Sequence, residues 1–64
     1  MKLIEQHICD LELDEEGFEN RSLAEIIRDM ISGFETKSNI VLLDQLHHWK
    51  NNNYVIVLNE YEKS

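Results

Sequence analysis

The run Tyr54–Tyr61 constrains the fold more than any other part of this chain. It consists of Tyr-Val-Ile-Val-Leu-Asn-Glu-Tyr, and β-branched and aromatic residues at this density are typical of a β-strand. A strand needs a hydrogen-bonded partner, and two strands alone are only marginally stable. Residues 7–13 are the best partner within the chain, so we expect these two segments to form a two-stranded sheet.

Residues 2–13 contain two competing patterns. Cys9, Leu11 and Leu13 alternate with acidic residues, which is the pattern of a half-buried strand. The alternation favours a strand for the second half of the segment. A helical face is the alternative, formed by Ile4, Ile8 and Leu11.

Residues 21–34 are predicted to form a helix. Asn20 or Ser22 can cap its first turn, and Gly33 lies where helices often end. The charged residues Arg21, Glu25 and Arg28 can pair locally on the polar side. The apolar residues recur at three- and four-residue spacing, which predicts one buried stripe, made of Leu23, Ile26, Ile27, Met30, Ile31 and Phe34.

Residues 39–50 are predicted to form a second helix, with an apolar face made of Leu42, Leu43, Leu46 and Trp49. The asparagines at 51–53 would end it, because asparagine tolerates the left-handed conformation. A rival interpretation makes Gln45–Lys50 a strand that enters Asn53–Leu58 through a tight turn. The predicted fold is α+β: one β-α-α-β domain over residues 1–64, with two helices packed on a two-stranded antiparallel sheet.

The small size of the chain limits its stability. It has 64 residues and one cysteine, Cys9, so it cannot form an internal disulfide. A core of this size supports only ~3–5 kcal/mol, and metal, self-association or a tight partner would add to it. The chain has neither a ~20-residue apolar run nor a signal peptide at its N-terminus. We therefore expect a cytoplasmic protein, which suits a lone thiol.

Net charge restricts the possible partners. Thirteen acidic and six basic residues give a net charge of −7. Nucleic-acid binding depends on Lys and Arg replacing counterions on phosphates, so direct binding to nucleic acid or an anionic membrane is disfavoured. A basic protein surface is the natural complement. The alternative is that the charge only keeps a small protein soluble.

The acidic residues are concentrated in one segment. On a strand, positions 10, 12 and 14 share a face at ~6.7 Å intervals, so a row of carboxylates there can imitate phosphates. A plain solvated turn is the alternative. We predict a partner-binding surface made of Asp10, Glu12, Asp14, Glu15, Glu16 and Glu19, extended by Glu60 and Glu62 if the terminal strand lies beside the first.

Metal and catalytic motifs are weak in this sequence. A calcium-binding hand needs glycine at loop position six and glutamate at position twelve, but counting from Asp10 gives Glu15 and Arg21. His7 and Cys9 share a strand face, whereas adjacent histidines at 47 and 48 would point ~100° apart on a helix. Paired Cys-x-x-Cys spacing is missing. We expect no metal, no cofactor and no catalytic residue.

Two resemblances bear on function. The stretch Asn20–Ile31 resembles the second helix of ribbon-helix-helix repressors, which insert a basic strand into the DNA major groove. In this chain the residues that precede the stretch are acidic.

In size, charge and absence of a catalytic motif, the whole chain resembles small acidic inhibitors encoded by phages and mobile elements, including anti-CRISPR proteins and DNA mimics. That resemblance implies a non-enzymatic inhibitor that blocks a basic nucleic-acid-binding surface of a host protein. The alternative is a structural or regulatory subunit that forms a homodimer through a strand edge and the aromatic residues Trp49, Tyr54 and Tyr61.

Overall fold

The computed structural model describes residues 2–14 and 17–63. They form three strands and one helix in the order β-α-β-β. The elements are β1 (Lys2–Glu12), α1 (Leu23–Phe34), β2 (Asn39–Lys50) and β3 (Asn53–Glu62).

The terminal strand is the centre of a three-stranded antiparallel sheet with the order β1-β3-β2. The predicted strand Tyr54–Tyr61 lies within β3 and is confirmed. Its predicted pairing with residues 7–13 is confirmed for positions 7–12, which lie in β1 and have partners in β3 from Leu58 to Asn53. Because β1 and β2 are both antiparallel to β3, they run in the same direction, and α1 connects them across the sheet.

The predicted second helix is wrong, because residues 39–50 form β2. The two-stranded sheet with two helices is therefore also wrong: the sheet has three strands and carries one helix. The leucines at 42, 43 and 46 have helical spacing, but all three remain exposed on the sheet. Pairing with β3 along the whole of β2 outweighs this local periodicity, since tertiary context overrides helix propensity.

A tight turn joins β2 to β3, as the rival interpretation predicted. The turn consists of Asn51 and Asn52, and Asn51 adopts a φ of 53°. Asparagine reaches this left-handed conformation more readily than other residues with a side chain. The Asn52 carbonyl also accepts a hydrogen bond from the Leu13 N–H at 3.0 Å, which ties the end of β1 to the hairpin.

Helix α1 begins after Ser22, whose Oγ accepts the Glu25 N–H at 3.1 Å. Of the two predicted caps, Ser22 is therefore the one used. Arg21 forms ion pairs with Glu25 and Asp29. The hydrogen bond to Asp29, and to a lesser extent the one to Glu25, raises the pKa of Arg21 above its ordinary value.

No helix in the described part of the chain is long and apolar enough to cross a membrane.

The core lies between α1 and one face of the sheet. Its buried residues come from all four elements: Leu11, Ile26, Ile27, Val41, Ile56 and Leu58. The outer edge of the sheet beside the core is partly closed, because the Glu35 carboxylate accepts the Val41 N–H at 3.2 Å. Helix α1 covers one face of the sheet, and no element of the described residues covers the opposite face.

Candidate functional site

The face of the sheet opposite α1, called the open face below, is defined by strand register. Side chains of directly paired residues share a face, so Ile8 and Val57, or Asp10 and Val55, lie together there. Hydrogen bonds between side chains agree with this assignment, as in the 2.9 Å bond from Gln6 to Asn59. The open face comprises Leu3, Gln6, Ile8, Asp10 and Glu12 from β1, Asn53, Val55, Val57, Asn59 and Tyr61 from β3, and Ile40, Leu42, Gln45, His47 and Trp49 from β2.

The open face is unusually apolar for a surface that no element of the described chain covers. Ile8 is 69% exposed and Trp49 is 68% exposed. Leu3 and Leu42 are about half exposed toward the other end of the face, whereas Val57 is buried and lies outside the core cluster. Antiparallel sheets with one solvated face usually present polar residues there, and an apolar patch of this kind marks an interaction site.

One end of the open face forms a shallow depression of about 390 Å³ lined by Asp10, Glu12, Trp49, Asn53, Val55 and also Tyr54, whose side chain packs against the core on the other face. The two carboxylates are alternate residues of β1, so they project side by side at ~6.7 Å spacing. Trp49 enters from β2, at an irregularity in the register between His48 and Lys50. The Lys50 ammonium lies 4.6 Å from the centre of the Trp49 ring, which is within the range of a cation–π contact. The depression therefore combines an aromatic ring with two negative charges.

The predicted row of three carboxylates is shorter in the structure, because β1 ends at Glu12. Asp14 lies in the following turn, where it accepts a hydrogen bond of 2.7 Å from the Asn52 side chain. Glu19 lies further on, and its carboxylate accepts the Gly17 N–H at 2.9 Å. Glu15 and Glu16 are outside the described residues.

Glu60 and Glu62 lie on β3, away from the depression. Glu62 is at the end of the strand, opposite Lys2. Glu60 pairs with Val41, a core residue, and therefore lies on the helix side. There its two oxygens bond to His7 Nε2 at 2.9 Å and Asn39 Nδ2 at 2.6 Å.

The four residues considered for a zinc site do not come together. His7 and Cys9 share the helix side of β1, as their spacing predicts. His47 lies on the open face and bonds to Gln45 at 2.7 Å, whereas His48 contacts Tyr54 on the other face. The group that the structure does bring together is Glu5, His7 and Glu60, whose ligand atoms lie within 4.8 Å of one another.

The position of Trp49 beside Asp10 and Glu12 was not predicted from the sequence, because Trp49 was assigned to the second helix. The rival hairpin interpretation would have predicted this position. A turn at 51–52 puts position 49 opposite the first residues of β3, and those residues pair with positions 10–12 of β1.

No family model matches this chain, and comparisons with curated proteins and with solved structures also find no match.

Proposed function

We propose that this protein is a non-enzymatic binding protein that blocks a basic, nucleic-acid-binding surface of a host protein, in the manner of the small acidic inhibitors it resembles. The depression on the open face is the observation that supports this most directly. Exposed Trp49 lies there beside two carboxylates, Asp10 and Glu12. This set of groups is suited to a partner's arginine or lysine side chains.

The depression offers a cation two kinds of attraction. Asp10 and Glu12 stand in for phosphates, and an arginine can bond to a carboxylate through two parallel N–H groups. The Lys50 ammonium already lies over the Trp49 ring, so a partner's cation would displace Lys50 or stack on the other side of the ring. Such a cation–π contact is worth ~0.5–2 kcal/mol, depending on how far the cation is desolvated. Arginine suits this site better than lysine, because its planar guanidinium stacks on aromatic rings.

The rest of the open face supplies apolar contact. Ile8, Leu42 and Leu3 are exposed and continue from the depression toward the other end of the sheet. An apolar centre with a charged rim is the usual composition of a protein interface. The net charge of −7 would in addition accelerate association with a basic partner at low salt.

Capture from a host lysate, followed by a competition assay, tests the proposal. A partner should bind at ~0.1 M salt and be released toward ~1 M, since the Debye length falls from ~10 Å to ~3 Å. The purified partner should then lose its nucleic acid when this protein is added. A complex that still binds nucleic acid would contradict the blocking mechanism.

Paired charge reversals locate the surface. Asp10→Lys with Glu12→Lys changes the depression, and Glu25→Lys with Asp29→Lys makes the same net-charge change on α1, where both side chains are exposed. The first pair should weaken partner binding sharply, chiefly by slowing association, and the second should have little effect. Equal effects would mean that only net charge matters. Circular dichroism checks that both variants are folded, because the second pair also removes the ion pairs of Arg21.

Self-association is a second candidate, favoured by the exposed apolar residues of the open face and by the two sheet edges. Of its three proposed aromatic anchors, Trp49 is exposed, Tyr61 is half-buried on the open face and Tyr54 packs against the core. Sedimentation velocity distinguishes the two candidates. A dimer that Ile8→Lys dissociates would support self-association, and a monomer at high concentration would exclude it.

A further inference from the structure

We propose that Glu5, His7 and Glu60 form a binding site for a divalent transition-metal ion of the class that includes Zn²⁺. The site lies on the helix side of the sheet, so it is separate from the open face and does not depend on the function proposed above.

Strand register brings the three ligands together. Glu5 and His7 are alternate residues of β1 and share a face, and Glu60 is the direct partner of Glu5 on β3. Their ligand atoms lie within 4.8 Å of one another, and His7 Nε2 is already 2.9 Å from a Glu60 oxygen. Tetrahedral zinc with bonds of ~2.0–2.1 Å holds its ligand atoms ~3.3 Å apart. To reach that spacing, the Glu5 carboxylate must move toward the other two ligands, and the His7–Glu60 contact of 2.9 Å must widen slightly.

Two of the ligands are held in place by neighbours. The His7 ring stacks on Phe34 with 4.2 Å between ring centres, which directs Nε2 toward the carboxylates. Asn39 donates a 2.6 Å hydrogen bond to one oxygen of Glu60 and leaves the other oxygen facing His7. Contacts of this kind orient metal ligands and tune their affinity in known metal sites.

The charge balance also favours a cation. Glu5 and Glu60 are directly opposite each other on adjacent strands, an arrangement in which like charges repel. Among the described residues, no lysine or arginine forms an ion pair with either carboxylate. Glu60 is only 14% exposed, whereas Glu5 is exposed, so one of the two carboxylates is largely shielded from solvent. A divalent ion would neutralise both charges.

The donor set selects the class of metal. Imidazole suits zinc, copper, iron and nickel, whereas sites made only of oxygen suit magnesium and calcium. One histidine and two carboxylates leave a fourth zinc position for water, as in sites with three protein ligands. Bound zinc would join the first strand to the last near the end of α1, and would stabilise a small domain that has no disulfide.

Titration of the metal-free full-length chain with ZnCl₂ tests the site. Calorimetry should show one ion per chain, and the melting temperature should rise by ~10 °C or more at free zinc 100-fold above Kd. MgCl₂ at the same concentration should produce no comparable rise. Absence of zinc binding, or an equal rise with magnesium, would overturn the proposal.

Glu5→Gln is the decisive variant, because Glu5 is exposed and its replacement should not unfold the domain. It should reduce zinc affinity at least ~10-fold while leaving the metal-free melting temperature equal or higher, since it removes the repulsion of Glu60. Glu12→Gln makes the same change on the opposite face of β1 and should leave zinc binding unchanged. Binding that survives Glu5→Gln, or that is lost in His47→Gln, would show that zinc binds elsewhere and would overturn the proposal.

Discussion

A matched pair of substitutions tests whether only one face of the sheet is packed. Ile56 and Ile8 lie on adjacent strands but on opposite faces, and they are 0% and 69% exposed. Isoleucine to alanine removes three carbon atoms, or ~2.4 kcal/mol at ~0.8 kcal/mol per buried group. At Ile56 the cavity left behind brings the loss to ~2–5 kcal/mol. At Ile8 only about a third of the transfer energy is at stake, which is ~0.7 kcal/mol.

Urea denaturation measures this difference. The loss of strand propensity applies to both variants and cancels in the comparison. With an m-value of ~1 kcal/mol/M for a small domain, the midpoint of Ile56→Ala should lie at least ~1.3 M below that of Ile8→Ala. Because a domain of this size has only ~3–5 kcal/mol to lose, Ile56→Ala should retain at most ~3 kcal/mol, and a variant already unfolded without denaturant would mark a loss at the upper end of the range. Equal losses would mean that the open face is as deeply buried in solution as the core, contrary to this prediction.

Substitutions at three further positions follow from local structure. Ser22→Ala removes the cap of α1 and should lower the free energy of unfolding by ~1 kcal/mol, as measured by thermal denaturation. Ser22→Asp should retain the cap and therefore most of the stability. Asn51→Ala should lower the free energy of unfolding by ~1 kcal/mol, because alanine disfavours the left-handed conformation. Asn51→Gly should not show this decrease in the same assay. Trp49→Ala should leave the urea midpoint nearly unchanged but weaken partner binding, and a large stability loss would show that Trp49 is packed rather than available.

The elements with strong local signals were predictable from sequence. The β-branched run within β3 and the apolar stripe of α1 leave little choice of structure. The residues of β2 were not predictable in this way, because Leu42, Leu43, Leu46 and Trp49 have helical spacing by chance and no buried face to reveal a strand. Their conformation is decided by pairing with β3, which depends on residues distant in sequence.

The candidate site was predictable only in part. Alternation along β1 places Asp10 and Glu12 on one face, as the sequence indicates. Trp49 lies beside Asp10 and Glu12 because of the hairpin at 51–52 and a register irregularity in β2. The asparagines at 51–52 indicate the hairpin, but no local pattern specifies the irregularity. The partnership of Glu5, His7 and Glu60 likewise depends on the register between the first and last strands.

We propose that the open face contacts a basic partner through its acidic and aromatic end. Titration of ¹⁵N-labelled protein with an arginine-rich peptide, followed by two-dimensional NMR, measures this contact residue by residue. Shift changes should concentrate at Asp10, Glu12, Val55 and the indole N–H of Trp49, the single tryptophan, and should be reduced in the variant with Asp10→Lys and Glu12→Lys. Changes centred instead on Glu25 and Asp29 of α1, or spread evenly over all the acidic residues, would contradict this proposal.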